Sequence, residues 1–235
     1  PVSPRSCRFM KQGPVLKERL SRETIAMRVS KELQEGDVVN LGIGMPTLVS
    51  NFVTEDKLVV YHSESGVLHY GPLSEEGEQD QDLINAGGQF LKKMSGMSFF
   101  GSEDAFAMIR GGHIDVTVLG AFQVSQIGDL ANWMLPDRGI GNIGGAMDLA
   151  MGAKRVIVAM EHTDRRDNPK LVKQCSFPLT GQKCVSLVVT DLAVIEIGAD
   201  GLILKEVAPG WTPDEIQDLT EPGLIVSPGV KEFEL

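Results

Sequence analysis

The chain has 235 residues, of which 42% are hydrophobic, and its mean hydropathy is close to zero. This composition predicts a soluble globular protein with one sizeable core. The formal net charge is −10, and residues 32–235 alone hold 14 basic against 30 acidic side chains, or −16, so the body should repel nucleic acid rather than bind it.

The N-terminal stretch 1–17 is basic and lacks apolar periodicity, which predicts a flexible arm. A remnant of a transit peptide is an alternative, because such peptides are also rich in Arg and Ser. No apolar run reaches the roughly 18 residues that a membrane helix needs. The three cysteines form no Cys-x-x-Cys pair, which favours reduced thiols and a cytoplasmic location, or the mitochondrial matrix in a eukaryote. The four histidines are scattered, so we expect no metal.

Along the chain, Ile25, Val29 and Leu33 recur at four-residue spacing and predict an amphipathic helix over 16–35, with Gly36 at its end. Further helices are predicted at 102–110, at 145–152 and from Thr212 onward, where Pro213 would take the first helical position. Short β-branched runs followed by Gly- or Ser-rich turns predict buried parallel strands at 38–41, 58–61, 114–119, 155–160, 185–190 and 193–197.

Helices and strands alternate, which predicts an open, mostly parallel α/β sheet flanked by helices. Residues 18–235 form one predicted domain, in which the acidic stretch 74–82 is a solvated loop. Ligands of such sheets bind outside the carboxyl ends of the strands. Gly42, Glu64 and Gly120 each follow a predicted strand, and Gly144 and Gly145 precede a predicted helix, so we expect all of them to line one pocket.

Glu64 is the candidate nucleophile, because it follows an apolar strand and stands between small residues that leave its carboxylate accessible. A lone Glu at a strand end is usually solvated or salt-bridged, so its surroundings decide the interpretation. Seven segments along the chain resemble, in order, the beta subunit of family I CoA-transferases of the succinyl-CoA:3-oxoacid and butyrate–acetoacetate type. They are 40–47 (NLGIGMPT), 63–66 (SESG), 71–72 (GP), 82–87 (DLINAG), 128–133 (GDLANW), 144–149 (GGAMDL) and 178–181 (PLTG).

The resemblance implies the CoA-transferase (NagB/RpiA-like) fold and a ping-pong transfer of CoA through a thioester on Glu64. It implies that Gly145, beside Gly144, supplies an oxyanion-stabilising backbone N–H, and that Asn85 lies near CoA or substrate. Gly42 and Gly44 are candidates for contacting CoA, which is a substrate and not a bound cofactor. The expected partner is a separate alpha subunit in an α2β2 heteromer.

Each of these residues also has a purely structural interpretation. The glycines at 144 and 145 could allow close packing of a helix on a strand, and Gly42 and Gly44 could form a turn and nothing more. A Rossmann dinucleotide loop would need a third glycine, which is missing. Asn85 could equally stabilise a turn.

Three positions depart from the family pattern. Ser65 replaces the usual Asn, Gly88 replaces a Lys of the animal enzymes, and 141–143 reads Gly-Asn-Ile. Loss of a cation at Gly88 leaves open whether acetoacetate or succinate is the substrate. An acyl-CoA hydrolase using the same glutamate and a non-catalytic CoA- or metabolite-binding protein are the alternative functions.

Overall fold

The computed structural model describes residues 17–54, 57–139 and 141–234. Within them, α-helices and strands alternate along the chain. The helices are α1 (Arg22–Ser30), α2 (Ser102–Arg110), α3 (Ala146–Gly152) and α4 (Pro213–Asp218), with 3-10 helices at Met45–Asn51 and Pro136–Arg138. The strands are β1 (Val38–Leu41), β2 (Val60–Ser63), β3 (Val67–Leu68), β4 (Ser98–Phe99), β5 (Val116–Leu119), β6 (Gln123–Ser125), β7 (Leu130–Ala131), β8 (Arg155–Ala159), β9 (Leu171–Val172), β10 (Val185–Val189), β11 (Ala193–Gly198), β12 (Gly201–Val207) and β13 (Leu224–Glu232).

A ten-stranded sheet in the order β13-β12-β11-β10-β8-β5-β1-β2-β3-β4 forms the body of the molecule. Its central strands, β10-β8-β5-β1-β2, are all parallel, and antiparallel pairings lie to either side. A small second sheet has the order β7-β6-β9. The predicted open, mostly parallel α/β sheet with flanking helices is confirmed.

The hydrophobic core has two layers, one on each face of the large sheet. Ile157 of β8 packs in the layer that contains α1, whereas its neighbours Val156 and Val158 pack in the layer that contains α2 and α3. Successive strand residues point to opposite faces, so a strand covered on both faces must be apolar at every position. This is why continuous apolar runs located β1, β5, β8 and β10 to within two residues.

The first helix is shorter than the predicted 16–35. It begins after Ser21, whose hydroxyl accepts the N–H of Thr24, because the N–H of Leu20 is bonded to Asp191 O and holds the preceding backbone outside the helix. Beyond Ser30 the turns tighten, with Leu33 N–H bonded to Ser30 O, a three-residue step that ends an α-helix.

Other predicted elements agree with the structure or shift by one or two residues, and the short strands β3, β4, β6, β7 and β9 were missed. The segment 193–197, predicted as a parallel strand, is β11, which is antiparallel to both of its neighbours. The strand predicted at 58–61 lies at Val60–Ser63, because His62 and Ser63, although polar, are buried beside β1. Strands β12 and β13 were not predicted. The latter contains Pro228 and Gly229, which suggest a turn, yet β13 is an edge strand, where Pro is tolerated.

A buried ion-pair network joins α1 to the sheet. The Arg28 guanidinium donates to both carboxylate oxygens of Glu206, with Nε–Oε2 at 2.7 Å and Nη2–Oε1 at 2.9 Å, and its Nη1 donates to Glu32 at 2.9 Å. Arg155 holds the second oxygen of Glu32 at 2.6 Å. Removing one member would leave a buried charge without its partner, so the network fixes how α1 sits on the sheet.

Residues 1–16 of the predicted N-terminal arm lie outside the described residues. Lys17, its last residue, pairs with Glu215 and lies 5.8 Å from the centroid of the Trp211 ring. In the part of the chain that the structure describes, no helix has both the length and the apolar character needed to cross a bilayer.

His162 gives the protein an expected sensitivity to acid. Burial lowers the pKa of His162 to about 3, and its ring nitrogens are bonded to Thr190 Oγ1 and Thr220 Oγ1, each at 2.9 Å. His162 is therefore protonated below about pH 6.5 in the unfolded chain but only below about pH 3 in the folded protein. We expect the free energy of unfolding to fall across this window by up to about 1.4 kcal/mol per pH unit from this residue.

Urea unfolding of the His162→Gln variant at pH 7, 6, 5 and 4 measures this contribution. The variant should be less stable at pH 7 but lose stability less steeply on acidification than the wild type. His113→Gln is the control, because His113 is exposed. Parallel curves for the wild type and His162→Gln would contradict the assignment.

Candidate active site

A cavity of about 460 Å³ lies at the carboxyl ends of the central parallel strands. Its wall includes the residues that directly follow β1, β2, β5 and β8, together with the glycine loop before α3. Gly42, Glu64, Gly120 and Gly145 all line it, as the predicted topology required. The site is therefore at the edge where open α/β sheets bind their ligands.

Glu64 occupies the turn of a tight hairpin between β2 and β3. The turn closes with a hydrogen bond from Gly66 N–H to Ser63 O at 3.0 Å, and Glu64 is half-buried with its side chain on the cavity wall. A short hairpin on a buried strand holds a side chain more precisely than a long loop would. The carboxylate is thus accessible and extends from a backbone that the hairpin holds in place.

Two serine hydroxyls fasten this hairpin to the neighbouring loop. Ser63 Oγ accepts the N–H of Ala86 at 3.1 Å and lies 2.8 Å from Ser65 Oγ. The Ser65 hydroxyl also lies 3.4 Å from Ile84 O and donates to it. Ser65, which departs from the family's usual Asn, therefore has a structural role in holding the turn.

Gly66 is a residue whose importance the sequence did not reveal. Its φ is +95°, and a Cβ placed on it would stand 2.0 Å from the carbonyl oxygen of Phe100. Its own carbonyl accepts the N–H of Phe100 at 3.0 Å. Only glycine satisfies this combination of left-handed backbone and backbone contact, so Gly66 determines where the Glu64 turn lies.

The two glycines before α3 are not equivalent. The N–H of Gly144, which has φ +48°, donates to Asn142 Oδ1 at 3.1 Å, so it is already occupied. Within the described ranges, no acceptor takes the N–H of Gly145. A Cβ on Gly145 would lie 3.4 Å from Glu64 Oε1 and 3.1 Å from the Phe106 ring, so the glycine backbone passes directly beside the carboxylate.

Gly42 and Gly44 also differ from each other, because only Gly42 lies on the cavity wall. Gly42 lines the cavity, and a Cβ there would approach Val118 O to 3.1 Å, so close strand packing already requires a glycine. Gly44 has φ +94° and precedes the 3-10 helix, where its carbonyl accepts the Thr47 hydroxyl at 2.6 Å. Gly44 is not on the cavity wall, and contact of either glycine with CoA stays a prediction.

Asn85 has a structural role in its own loop. Its Oδ1 accepts the N–H groups of Gly87 and Gln89 at 2.9 and 3.0 Å, and its Nδ2 donates to Gln89 Oε1 at 3.1 Å. The side chain is buried and does not line the cavity. The turn-stabilising alternative accounts for these contacts, and proximity to CoA or substrate stays a prediction.

Two of the resemblance segments meet through Asn132, which sequence reasoning did not single out. Asn132 Oδ1 accepts the Thr180 hydroxyl at 2.6 Å, and its Nδ2 donates to Gly120 O at 3.1 Å on the cavity wall. Asn132 therefore links segments 128–133 and 178–181 to the cavity wall after β5.

Three charged residues of the cavity wall also escaped sequence reasoning: Arg22, Glu161 and Lys170. They lie at the end of the cavity formed by β8, away from Glu64. Arg22 and Glu161 are 139 residues apart in sequence, yet the guanidinium Nη2 lies 2.7 Å from Glu161 Oε1. No local motif marks these positions, so only the fold could bring them together.

Neither described cysteine competes with Glu64 as a nucleophile. Burial, as the larger cause, and then the nearby Asp129 carboxylate raise the pKa of the Cys175 thiol to about 11, and burial likewise raises that of Cys184 to about 11. Both thiols are therefore protonated at neutral pH, and neither lines the cavity.

The fold is that of an open α/β sheet protein. Its cavity, with the accessible Glu64 carboxylate, lies at the edge where such proteins bind ligands or substrates. The family comparison is more specific, because a model of the coenzyme A transferase family matches residues 22–219. This chain belongs to the coenzyme A transferase family.

Curated proteins of similar sequence are also named as CoA-transferase subunits. The chain is 49% identical over 200 residues to the probable coenzyme A transferase beta subunit of Bacillus subtilis, covering 85% of this chain and 92% of that one. It is 51% identical over 209 residues to one subunit of the 3-oxoadipate CoA-transferase of Pseudomonas putida, and the match covers 88% of this chain and 98% of that one. One subunit of the succinyl-CoA:3-ketoacid coenzyme A transferase of Helicobacter pylori is 51% identical over 200 residues, covering 85% and 96%. The protein is accordingly a subunit of an enzyme of the CoA-transferase class.

Among solved structures, an acyl-CoA transferase from Escherichia coli O157:H7 superimposes with a TM-score of 0.71 at 21% identity. The match covers 96% of this chain and 45% of that one, so this chain spans less than half of the E. coli protein. At this identity the similarity supports the fold alone. The same E. coli enzyme is also known as a thioester complex with CoA.

Proposed function

We propose that this chain is the beta subunit of a CoA-transferase that moves CoA between an acyl-CoA and a short-chain carboxylic acid through a thioester on Glu64. The observation that carries the proposal is the placement of the Glu64 carboxylate beside Gly145. Its Oε1 lies 3.4 Å from the position of a Cβ on Gly145, whose N–H has no acceptor in the described residues. The proposed nucleophile and the residue that carries the unused backbone donor thus line one cavity.

In the proposed reaction, a Glu64 oxygen attacks the acyl-CoA carbonyl, and the carbon–sulfur bond breaks to give an acyl-glutamyl anhydride and CoA thiolate. The thiolate then attacks the Glu64 carbonyl and expels the acyl group as its carboxylate, leaving a glutamyl-CoA thioester. The acceptor carboxylate attacks this thioester to form a new anhydride and release the thiolate. Attack of the thiolate on the new acyl carbonyl gives the product acyl-CoA and restores Glu64.

Carboxylates are weak nucleophiles, so stabilisation of each tetrahedral oxyanion must lower the barrier. A single backbone donor of this kind contributes about a hundredfold to a thousandfold in turnover in known enzymes. The N–H of Gly145 is free for this role, since no described residue accepts it, whereas that of Gly144 is held by Asn142. We therefore assign the oxyanion contact to Gly145 and the shaping of the loop to Gly144.

Each of these relatives is named as one subunit of an enzyme, and the Bacillus subtilis protein as a beta subunit, which implies a separate alpha subunit for this chain as well. We propose a heteromer of the α2β2 kind. Exposed apolar side chains lie at the rim of the cavity, among them Ile43 with 69% of its surface exposed. Such residues favour a partner that covers this edge.

Intact-mass analysis and peptide mapping test the proposal directly. The chain, co-purified with its alpha partner, is incubated with acetyl-CoA, butyryl-CoA and succinyl-CoA, with and without borohydride. A CoA-sized adduct on the peptide containing Glu64, converted by borohydride to the alcohol, is the expected result. If CoA binds but no donor gives an adduct, the non-catalytic binding role replaces this proposal.

Acyl-CoA hydrolysis would form the same adduct, so a second measurement separates the two enzymes. The transferase should form product acyl-CoA only when an acceptor acid is present and should release little free CoA without one. Rapid release of CoA and acid in the absence of an acceptor would identify a hydrolase.

A further inference from the structure

The end of the cavity opposite Glu64 carries a cluster of three charged residues. Arg22 is the first residue of α1, Glu161 follows β8, and Lys170 precedes β9; all three line the cavity. Two of these three lining residues are positive and one is negative. Nothing in the proposed chemistry on Glu64 uses them.

Lys170 is the member whose charge is least satisfied. Its side chain is only 11% exposed, and within the described part of the chain its Nζ donates no hydrogen bond. Its one ion-pair contact there is with Glu161 Oε2 at 3.9 Å, beyond hydrogen-bonding distance. A largely buried ammonium without a close acceptor is costly, and an incoming anion would relieve that cost.

Of the carboxylate oxygens around Lys170, only Glu161 Oε2 is not engaged by another described group, and it lies 3.9 Å from the Lys170 Nζ. Glu161 Oε1 accepts two hydrogen bonds from Arg22, at 3.1 and 2.7 Å. Asp191 is held by Arg19 at 3.0 Å and accepts the N–H of His162 at 2.6 Å. Asp164 caps its own turn by accepting from Arg166 N–H and from Asn168.

The electrostatics of Lys170 agree with this geometry. Burial lowers the pKa of the Lys170 ammonium below its usual value, more than the neighbouring carboxylates raise it. A second anion beside Nζ would oppose the effect of burial and favour the charged form.

The separation of the two ends of the cavity limits what can reach both. Glu64 follows β2 and Glu161 follows β8, and β1 and β5 lie between these strands. Three steps of about 4.8 Å place the strand ends roughly 14 Å apart, and Glu64 and Lys170 both line the cavity that lies there. A ligand that reacts at Glu64 and also neutralises Lys170 therefore needs a second anionic group several carbons from the first.

Resting on the proposed transferase function, we propose that Lys170, with Arg22 beside it, binds the far carboxylate of a dicarboxylic acyl group whose other carboxyl reacts at Glu64. A phosphate of CoA has the same anionic chemistry, and the experiment separates the two sources.

The test compares acceptor acids of matched length with the co-purified heteromer and acetyl-CoA as donor. The pairs are succinate with butyrate and adipate with hexanoate. Lys170→Met, which keeps the length but removes the charge, should raise KM for the dicarboxylic acids about tenfold to a hundredfold and leave KM for the monocarboxylic acids within about twofold. At saturating acid, kcat should remain within about twofold, because Lys170 does not touch the reacting atoms.

Two further variants sharpen the result. Lys170→Arg keeps the positive charge and should retain most of the dicarboxylate preference. Lys173→Met is the matched control, because Lys173 is exposed and lies off the cavity, and it should match the wild type throughout. If Lys170→Met fails to fold, Arg22→Gln replaces it. Arg22 is 65% exposed, and its loss would free Glu161 to neutralise Lys170, with the same selective rise in KM.

Several outcomes would overturn the inference. They are a wild-type enzyme that accepts no dicarboxylic acid, an equal rise in KM for both classes of acid, and no rise for either. A rise in KM confined to acyl-CoA, whatever its acyl group, would place a CoA phosphate at Lys170 instead. The mass adduct on Glu64 is measured in every variant. An adduct that persists while the acid preference is unchanged refutes this inference alone, whereas no adduct in the wild type refutes the transferase mechanism itself.

Discussion

Replacing Glu64 with Asp is expected to reduce turnover by about a hundredfold or more while leaving the protein folded. Asp keeps the carboxylate but withdraws it by one methylene, which moves the nucleophile by more than an ångström from the N–H of Gly145, which no described residue accepts. The half-buried position of Glu64 in a solvent-facing turn means that folding does not depend on its length. The measurement is steady-state turnover of the heteromer with the best acyl-CoA donor, alongside a thermal unfolding curve.

Glu76→Asp is the matched control, because Glu76 is exposed in the acidic loop and lies off the cavity. It should show wild-type turnover. Near-normal turnover in Glu64→Asp would remove Glu64 from the role of nucleophile. If the thermal unfolding curve showed that the lost turnover came from a smaller folded fraction, Glu64 would have a structural role instead.

Replacing Gly66 with Ala is expected to damage both folding and catalysis. The added Cβ would stand 2.0 Å from Phe100 O, a backbone atom that cannot swing aside as a side chain could, and the φ of +95° disfavours any L-residue. Overpacking and the left-handed backbone together should cost roughly 2–5 kcal/mol. The turn would have to move, and displacement of Glu64 by about an ångström should lower turnover about a hundredfold.

Gly77→Ala separates the two causes, because Gly77 has φ +91° but nothing within 4 Å of its added Cβ. It should lose only the roughly 1–2 kcal/mol of the left-handed backbone and keep full activity. Urea unfolding and turnover of the two variants provide the comparison. A Gly66→Ala protein no less stable than Gly77→Ala, with normal turnover, would show that the Phe100 contact does not fix the nucleophile.

The sequence could predict much of the fold because parallel strands covered on both faces are apolar at every position. That pattern located β1 and β8 to within a residue, and the helix predicted at 102–110 has the same bounds as α2. Prediction failed where burial did not follow polarity. His62 and Ser63 are polar yet buried within β2, whereas the edge strand β13 is exposed and interrupted by Pro228.

The candidate site likewise contains residues that the sequence could indicate and contacts that it could not. Glu64 and Gly145 could be proposed as site residues from sequence, because each belongs to a contiguous segment of the family resemblance. The state of the Gly144 N–H could not, because it depends on the Asn142 side chain turning back to accept it. The turn role of Asn85 was one of two alternatives that the sequence left open, and its contacts with Gly87 and Gln89 show that role directly.

By itself, then, the sequence determined the class of fold, the family and the identity of the candidate nucleophile, because these are written in local hydrophobic patterns and in short segments of fixed order. Only the tertiary structure decided what surrounds that nucleophile. Gly66 must be glycine because of a carbonyl 34 residues away, and Lys170 lines the same cavity as Arg22, which lies 148 residues earlier and engages one oxygen of Glu161. Contacts of this kind depend on how the strands and helices pack, and local sequence carries no record of them.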